Sequence, residues 1–178
     1  MYDHVMIDLE TMGTSPDCVV LSLGAVPFSL TDKTVGHNHG IKMYPNKEEQ
    51  IQGGRSCDDD TVKWWERQEE AARMDWEKGQ KVAHSVEEFE MRFKAWLNGA
   101  CCAMKYRFVW SHGSCFDIII LENLFRNGVP WKFWNIRDTR TLFHLKDVKP
   151  NRTEGVHHDP LDDAISQANA VIRAWHKS

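Results

Sequence analysis

The stretch His4-Val5-Met6-Ile7-Asp8-Leu9-Glu10-Thr11 joins an apolar run to two carboxylates near the N-terminus. It predicts a β-strand over roughly residues 4–10, in which successive side chains point to opposite faces of a sheet. The apolar side chains then point one way, while Asp8 and Glu10 both point the other. Two carboxylates on one face repel each other, and a divalent cation beside them would relieve the repulsion by taking their oxygens as ligands. On its own, the pair favours a simpler interpretation, an amphipathic strand with a polar outer face.

Length and composition limit the classes of protein that fit. With 178 residues, 42% of them hydrophobic and 27% charged, the chain is long enough for one well-buried domain over residues 1–178 and short for two. The net charge of −4 is unlike that of a protein that coats nucleic acid, which is usually basic. A nucleic-acid partner would therefore be held at a local site, a few nucleotides at a time.

Cysteine usage and apolar runs bear on the compartment. The five cysteines are an odd number, with Cys101 and Cys102 adjacent and no C-x-x-C spacing. This pattern argues against a disulfide framework or a zinc site and favours a reducing, cytoplasmic compartment. The N-terminus lacks the basic and apolar regions of a signal peptide, and no apolar run approaches membrane-spanning length, so no membrane partner is expected.

The predicted elements follow each other in an α/β order. The first part of the chain predicts an antiparallel meander of strands over roughly residues 4–10, 19–26 and 38–44. Pro27 is expected to end the second of these strands. Residues 46–60 are expected to form a loop, whose acidic end caps a helix from about Thr61. That helix carries Trp64, Trp65 and Trp76.

The second half of the chain alternates helices and strands. A capping box at Ser85 and Glu88 predicts a helix whose apolar stripe faces the core. The later predicted elements are a strand over roughly residues 107–111, a helix from about Phe116 that ends before Gly128 and Pro130, a helix start at Asp138, a loop over roughly 147–157, and a final helix over about 160–175.

Two loop-to-helix junctions carry further polar residues. In His112-Gly113-Ser114-Cys115-Phe116-Asp117, Ser114 can cap the helix with Asp117 at its third position, which explains the acid without any chemistry. His112 is expected to be a hydrogen-bonding residue of the turn rather than a metal ligand. In the second junction, residues 157–164, Asp159 is a natural N-cap before Pro160.

The second junction leaves one choice open. Asp162 and Asp163 lie on opposite flanks of the apolar stripe of the last helix, so helical periodicity does not say which is functional. His158 precedes the cap on a loop, and His157 is expected to be an exposed loop residue.

Taken in order, these motifs resemble the DEDDh branch of the DEDD 3′–5′ exonucleases. The resemblance covers nearly the whole chain and rests on the Asp-x-Glu-Thr strand, the Phe-Asp junction and a histidine followed five residues later by an aspartate. Residues 64–73, Val109-Trp110 and the run at 137–142 further resemble a phage and bacterial subgroup of exodeoxyribonuclease-VIII-like proteins and 3′–5′ exoribonucleases. Two positions depart from the pattern, since relatives often have Asn at His112 and a small residue at Pro160.

The resemblance implies a fold and a set of site residues. The fold is ribonuclease-H-like, an α/β fold with a mixed β-sheet, three antiparallel strands first and helices on both faces, and with the acidic pair on the central strand. The family motif assigns catalytic roles to Asp8, Glu10, Asp117, His158 and Asp163. The five-residue step from the histidine selects Asp163 over Asp162 and His158 over His157.

The resemblance also implies a mechanism and a substrate. Two Mg²⁺ or Mn²⁺ ions would be held by the four carboxylates, and His158 would take the proton from the attacking water. The substrate would be a single-stranded DNA or RNA 3′ end, and the product a nucleoside 5′-monophosphate. Main-chain groups around Thr11, Met12 and Gly13 would recognise the 3′ end, with Met12 or Phe116 packing on the terminal base.

Two other functions compete with the exonuclease. One is a catalytically silent nucleic-acid-binding domain of the same fold, and the other is a phosphodiesterase that acts on dinucleotides or other very short substrates. The choice between RNA and DNA depends on local geometry around the 2′-hydroxyl, so the sequence leaves it open. A homodimer is likewise left open.

Overall fold

The computed structural model describes residues 1–149 and 158–177. Over this part of the chain the strands are β1 (His4–Thr11), β2 (Val20–Ser29), β3 (Thr34–Val35), β4 (Ile41–Met43), β5 (Phe108–Ser111) and β6 (Ile136–Asp138). The α-helices of the same ranges are α1 (Lys47–Gln52), α2 (Asp59–Glu66), α3 (Glu70–Gln80), α4 (Val86–Ala100), α5 (Asp117–Leu124), α6 (Thr139–Lys146) and α7 (Pro160–Trp175).

The strands form one mixed sheet with β1 at its centre. The strand order is β3-β2-β1-β5-β6, and β4 pairs with β2 beside β3. β1 is antiparallel to β2 and parallel to β5, and β5 is parallel to β6. The expected ribonuclease-H-like sheet, antiparallel in its first strands and with the acidic pair on the central strand, is confirmed.

Alternating side chains of β1 pack in two separate hydrophobic clusters, one on each face of the sheet. Val5, Ile7 and Leu9 are buried with apolar residues of α4 and α5 on one face of the sheet. Met6 lies on the other face, in a cluster that includes residues of α6 and α7. The sheet therefore has helices on both faces, and the predicted alternation of β1 is confirmed.

Pro27 does not end β2, contrary to the sequence prediction. It pairs with Val5 inside the strand, and its carbonyl accepts a hydrogen bond from Gly36 N at 2.8 Å. The position lies between the β2 residues that pair with β4 and those that pair with β3. The missing N–H of proline thus falls in a gap between partner strands, where proline is tolerated.

Residues 46–60 are not the expected loop, because α1 lies within them. Asn46 caps this helix by accepting from Glu49 N at 2.8 Å. Gln50 is buried and pairs with Val20 through both ends of its amide, at 2.9 and 2.8 Å. The helix has no apolar stripe, so its stability comes from polar contacts that the hydrophobic pattern does not reveal.

The expected tryptophan helix is two helices. α2 is capped by Asp58, whose side chain accepts from Asp60 N at 3.0 Å, so the cap lies slightly before the predicted position. Trp64 and Trp65 lie on α2, whereas Trp76 lies on α3. The acidic run is a helix start, as predicted. The sequence pattern did not predict β6, which ends at Asp138.

The helix starts in the second half agree with the prediction at α4 and differ at α5. Ser85 caps α4 by accepting from Glu88 N at 3.2 Å. The proposed cap by Ser114 is wrong, because α5 begins at Asp117 with Phe116 at its N-cap position. The backbone N–H of Ser114 instead donates to Asp138 at 2.8 Å, which ties this turn to the start of α6.

The last helix sits directly on β2 through a glycine. α7 spans Pro160–Trp175 with Asp159 as its N-cap, as predicted. A Cβ at Gly24 would lie 2.1 Å from the carbonyl carbon of Pro160, so any other residue would displace the helix. Gly24 is the partner of Asp8 in the β1–β2 register. The N-terminus of α7 is thereby held over the strand that carries the acids.

Candidate active site

The carboxyl end of β1 presents its acids to α7. Asp8 accepts a hydrogen bond from Gln167 of α7, with 2.7 Å between Oδ1 and Nε2. Glu10, one step further along the same face, is only 8% exposed. The pairing of β1 with β2 shifts between Glu10 and Thr11. Such bulges re-aim side chains and are common beside active sites.

The start of α7 brings a histidine and an aspartate to Glu10. One possible ligand atom from each of Glu10, His158 and Asp163 lies within 4.8 Å of the other two. The Nδ1 of His158 is 3.8 Å from Oε1 of Glu10. His158 has φ +64°, a left-handed conformation that turns the chain sharply just before the Asp159 cap. Of the two acids that helical periodicity left open, Asp163 is the one in this cluster.

Asp117 approaches the same end of β1 from α5. Its Oδ1 accepts a hydrogen bond from Leu9 N at 3.2 Å, in the strand segment between the two β1 acids. Burial raises the pKa of Asp117 to about 7, although the hydrogen bond from Leu9 N acts in the opposite direction. The carboxyl therefore points into the sheet rather than capping its own helix.

The electrostatics of Glu10 show that the four acids form one group. Burial, then the nearby carboxylates of Asp8, Asp163, Asp117 and Asp159, raise the pKa of Glu10 well above its ordinary value. An acid cluster buried in this way is unfavourable when fully ionised, unless cations share it. All five predicted catalytic residues thus converge on one place.

A cavity of about 530 Å³ opens beside Glu10 and His158. Its lining consists of Leu9, Glu10, Thr11, Gly13, Thr14, Asp58, Asp60, Thr61, Trp64, Trp65, Phe116 and His158. Three of the residues predicted to contact the 3′ end, Thr11, Gly13 and Phe116, line this cavity. Met12 is instead 5% exposed and packs in a small core cluster with Trp65. The Met12 side chain therefore belongs to the core. Of the two side chains predicted to pack on the terminal base, Phe116 is the one that lines the cavity.

Main-chain groups near Met12 are largely engaged inside the protein. Met12 N donates to Val19 O at 2.8 Å, and Met12 O accepts from Asp58 N at 2.7 Å. Thr11 O accepts from Trp65 Nε1 at 2.9 Å. These bonds tie the end of β1 to α2 and hold one wall of the cavity in place.

Trp64 is a residue of the site that the sequence reading did not place there. Its ring lies edge-on to His158, with 4.7 Å between centroids, and it is 36% exposed. Gln167 was also missed, although it lies four residues after Asp163 and so shares its face of the helix. The pairing of Trp64 with a histidine distant in sequence left no local signal.

The remaining sequence predictions concern His112, His157 and membrane-spanning segments. His112 Nδ1 lies 2.7 Å from Thr139 Oγ1, so it is a hydrogen-bonding residue of its turn, as predicted. His157 lies outside the described residues. Among the helices that the structure describes, none is long and apolar enough to cross a lipid bilayer.

A cationic contact holds the start of α7 from the far side. Lys42 Nζ of β4 is 2.6 Å from Oδ2 of Asp159 and 2.6 Å from Oδ1 of Asp75 on α3. The hydroxyl of Tyr44 donates to the same Asp75, at 3.1 Å to Oδ2. The other carboxylate oxygen of Asp159 caps α7, accepting from Leu161 N at 3.0 Å.

Comparison with known proteins identifies the family to which this site belongs. The model of the 3′–5′ exoribonuclease Rv2179c-like domain matches residues 3–175. The chain belongs to the Rv2179c-like family. This Rv2179c-like chain is also 28% identical, over 162 residues, to an exodeoxyribonuclease of Enterobacteria phage T4, which covers 79% of this chain and 70% of the phage protein.

Solved structures share the Rv2179c-like fold. E. coli exonuclease I in complex with a 5cy-dT13 oligonucleotide has a TM-score of 0.64 at 14% identity, over 94% of this chain and 39% of that one. Cell-death related nuclease 4 has a TM-score of 0.62 at 13% identity, over 97% of this chain and 63% of that one. The chain thus spans less than two thirds of these nucleases. The fold is that of the ribonuclease-H-like exonucleases, and the predicted kinship with the DEDDh branch is confirmed.

Proposed function

We propose that the chain is a metal-dependent 3′–5′ exonuclease that hydrolyses single-stranded nucleic acid from a free 3′ end to nucleoside 5′-monophosphates. The observation that carries this proposal is the convergence of Glu10, Asp163 and His158 within 4.8 Å at the edge of the cavity. Residues 1–178 would act as one exonuclease domain, in the cytoplasm. The comparisons give no support to a homodimer.

The donor set fits hard divalent cations. Asp8, Glu10, Asp117 and Asp163 offer oxygen ligands, and burial together with mutual repulsion raises the pKa of Glu10. Bound Mg²⁺ or Mn²⁺, two ions in this proposal, would make water a better nucleophile and stabilise the negative charge on the departing 3′-oxygen. The structurally similar exonuclease I of E. coli has been solved in a zinc-bound form of its complex with single-stranded DNA, which supports a metal site on this fold.

His158 is placed to move the proton. The side chain of His158 is 21% exposed, and its Nδ1 lies 3.8 Å from Oε1 of Glu10. The ring is between the acid cluster and Trp64. A neutral imidazole can accept a proton from water, and histidine is the side chain most often used as a general base near neutral pH. His158 would therefore act as the general base, and Trp64 would limit the directions in which its ring can turn.

The cavity is suited to one terminal nucleotide. Phe116, Trp64 and Trp65 line it, and aromatic faces stack on any base without sequence preference. Asp58 and Asp60 also line it, which disfavours additional phosphates at that end. A 3′-terminal nucleoside with a free hydroxyl would fit, whereas a 3′-phosphate would meet these carboxylates.

The polymer class is open to experiment. The family name refers to RNA and the phage relative is named for DNA. The decisive test is turnover of matched single-stranded RNA and DNA of equal sequence, with 3′-hydroxyl and 3′-phosphate ends, in Mg²⁺ and in Mn²⁺. We expect stepwise release of nucleoside 5′-monophosphates from the substrates that end in a 3′-hydroxyl. The substrates that end in a 3′-phosphate should be hydrolysed much more slowly.

The controls address the competing functions. His158→Ala should lower the rate ~10²–10⁴-fold, the usual contribution of a general base, while metal still raises the melting temperature. Binding without turnover in either metal would instead support a silent binding domain. Turnover confined to dinucleotides would support a phosphodiesterase of very short substrates.

A further inference from the structure

The contact between Lys42 and Asp159 lies behind the candidate base rather than in the cavity. Lys42 is on β4, which pairs with β2 on the side away from β1. Its ammonium group contacts carboxylates from two helices, Asp75 of α3 and Asp159 at the start of α7, both at 2.6 Å. The side chain of Lys42 is 24% exposed and that of Asp159 is 14% exposed, so the pair is largely shielded from water.

The two carboxylate oxygens of Asp159 accept hydrogen bonds from different groups. Oδ1 accepts from Leu161 N and Asp162 N and so caps α7. Oδ2 accepts from Lys42. The cap alone would leave the carboxylate group free to pivot about its bonds to the helix. The contact with Lys42 removes that freedom and ties the first turn of α7 to the sheet.

The restraint on Asp159 also limits the movement of His158, because the two residues are adjacent in the backbone. It directly precedes Asp159 and has φ +64°, so a small rotation at Asp159 would swing the imidazole relative to Glu10. Such a left-handed conformation in a residue other than glycine persists only when its surroundings hold it. Trp64 holds the ring, and Lys42 holds the residue that follows.

We infer that Lys42 is a positioning residue for His158, acting through the second carboxylate oxygen of Asp159. This inference rests on the proposed role of His158 as the general base. Lys42 does not line the cavity, and its contribution is to keep the histidine at its working distance. Outer partners of this kind commonly contribute ~10–100-fold to activity.

The charges around Lys42 support the same role. Burial opposes the charge of Lys42, but the hydrogen bonds to Asp159 and Asp75 outweigh it and raise the pKa of the ammonium group. Without that charge, Asp75 and Asp159 would face each other across the vacated position and repel. The start of α7 would then move away from α3, and the imidazole of His158 would move with it.

The test compares Lys42→Met with Lys47→Met in steady-state assays at saturating Mg²⁺ or Mn²⁺. Lys47 is a matched control, because its ammonium group also contacts α3, lying 5.8 Å from the ring centroid of Trp76. We expect Lys42→Met to lower kcat ~10–100-fold with little change in KM, and Lys47→Met to keep the wild-type rate. Both variants should keep the rise in melting temperature caused by metal.

A double-mutant cycle separates positioning from general damage. In the His158→Ala background, Lys42→Met should cost little further activity, because the group that Lys42 positions is gone. An equal loss in both backgrounds, or a rate within about twofold of wild type in the single variant, would overturn the inference. If His158→Ala itself keeps full activity, the proposed general base fails, and the inference falls with it.

A second variant addresses the case in which Lys42→Met does not fold. Asp159→Ser keeps an oxygen that caps α7 but loses the one that accepts from Lys42. It should show the same loss of kcat, again absent in the His158→Ala background. Wild-type kcat in Asp159→Ser would overturn the inference.

Discussion

The two ends of β1 treat a buried polar side chain in opposite ways. At the start of the strand, His4 is 7% exposed and accepts a hydrogen bond from Trp110 Nε1 at 2.9 Å. Burial lowers the pKa of His4, so the ring stays neutral among Phe28 and Phe108. At the far end, Glu10 is equally buried, yet its neighbours are acids that raise its pKa.

The difference separates a stabilising polar group from a functional one. His4 has a partner of matching chemistry, so its burial costs little and its contact fixes the packing of the aromatic rings. Glu10 shares its surroundings with Asp8, Asp117 and Asp163, so a bound divalent cation would relieve the repulsion among these carboxylates. We therefore expect changes at the His4 end to alter stability and changes at the Glu10 end to alter activity.

The largest expected effect is that of Asp8→Asn. Loss of one proposed metal ligand should remove several kcal/mol of transition-state stabilisation, so hydrolysis should fall at least ~10³-fold. The metal-free variant should be at least as stable as wild type, because one charge of a repelling group is gone while Gln167 keeps its acceptor. Single-turnover rates and melting temperatures in chelator measure the two quantities. A variant that hydrolyses at the wild-type rate would remove Asp8 from the site.

The next effect distinguishes two neighbours on α7. Asp163→Asn should lose at least ~10²-fold in rate, since its carboxylate lies with Glu10 and His158. Asp162→Asn serves as the matched control and should keep most activity. Rates measured at equal metal concentration check the pair, and the reverse result would mean that the register of α7 over β1 is different.

A change at the other end of β1 should have the opposite character. His4→Phe keeps the aromatic packing but leaves Trp110 Nε1 without its acceptor, which should lower the free energy of unfolding by ~1–3 kcal/mol. The rate per folded molecule should be unchanged, because six residues of strand place His4 roughly 20 Å from Glu10. Urea unfolding and single-turnover rates decide the matter. A reduced rate with intact stability would contradict the separation of the two ends.

The last expected effect is a dependence of stability on pH. The pKa of Asp117 is about 7 in the folded protein and ~3.9 in an unfolded chain. Between these values the folded state holds a proton that the unfolded state has released, so this group's contribution to stability is present below about pH 4 and lost as pH rises to 7.

Asp117→Asn isolates that contribution. The melting temperature of the metal-free wild type should fall relative to the variant as pH rises from about 4 to 7, and Mg²⁺ or Mn²⁺ should reduce the difference at neutral pH. Parallel pH profiles of the two proteins would show that the proton is not held by Asp117.

Much of the fold and most of the site follow from local patterns. The alternation along β1, the Ser85 and Asp159 caps and the apolar stripes of α4 and α7 are properties of neighbouring residues, so the sequence predicts them well. The site residues lie at the ends of these elements. The order of motifs and the five-residue step from His158 to Asp163 therefore located the acids and the histidine.

The features that were missed depend on contacts between distant segments. α1 is held by Gln50 against Val20 rather than by an apolar stripe. Pro27 is accommodated because β3 and β4 leave a gap beside it. Met12 is buried because α2 and α3 pack over it, and no pattern near Met12 reveals those helices.

The close approach of Gly24 to Pro160 has a consequence for how such a site can diverge. The separation between Asp163 and the β1 acids is set by how deeply α7 rests on β2, and the depth is set by a residue that has no side chain. A methyl group at Gly24 would act as a spacer under the helix, widening the acid cluster without altering any of its carboxylates. The metal preference of the proposed site could thus be tuned from a strand that holds none of its acids, and a search confined to the charged residues would overlook the position that sets their spacing.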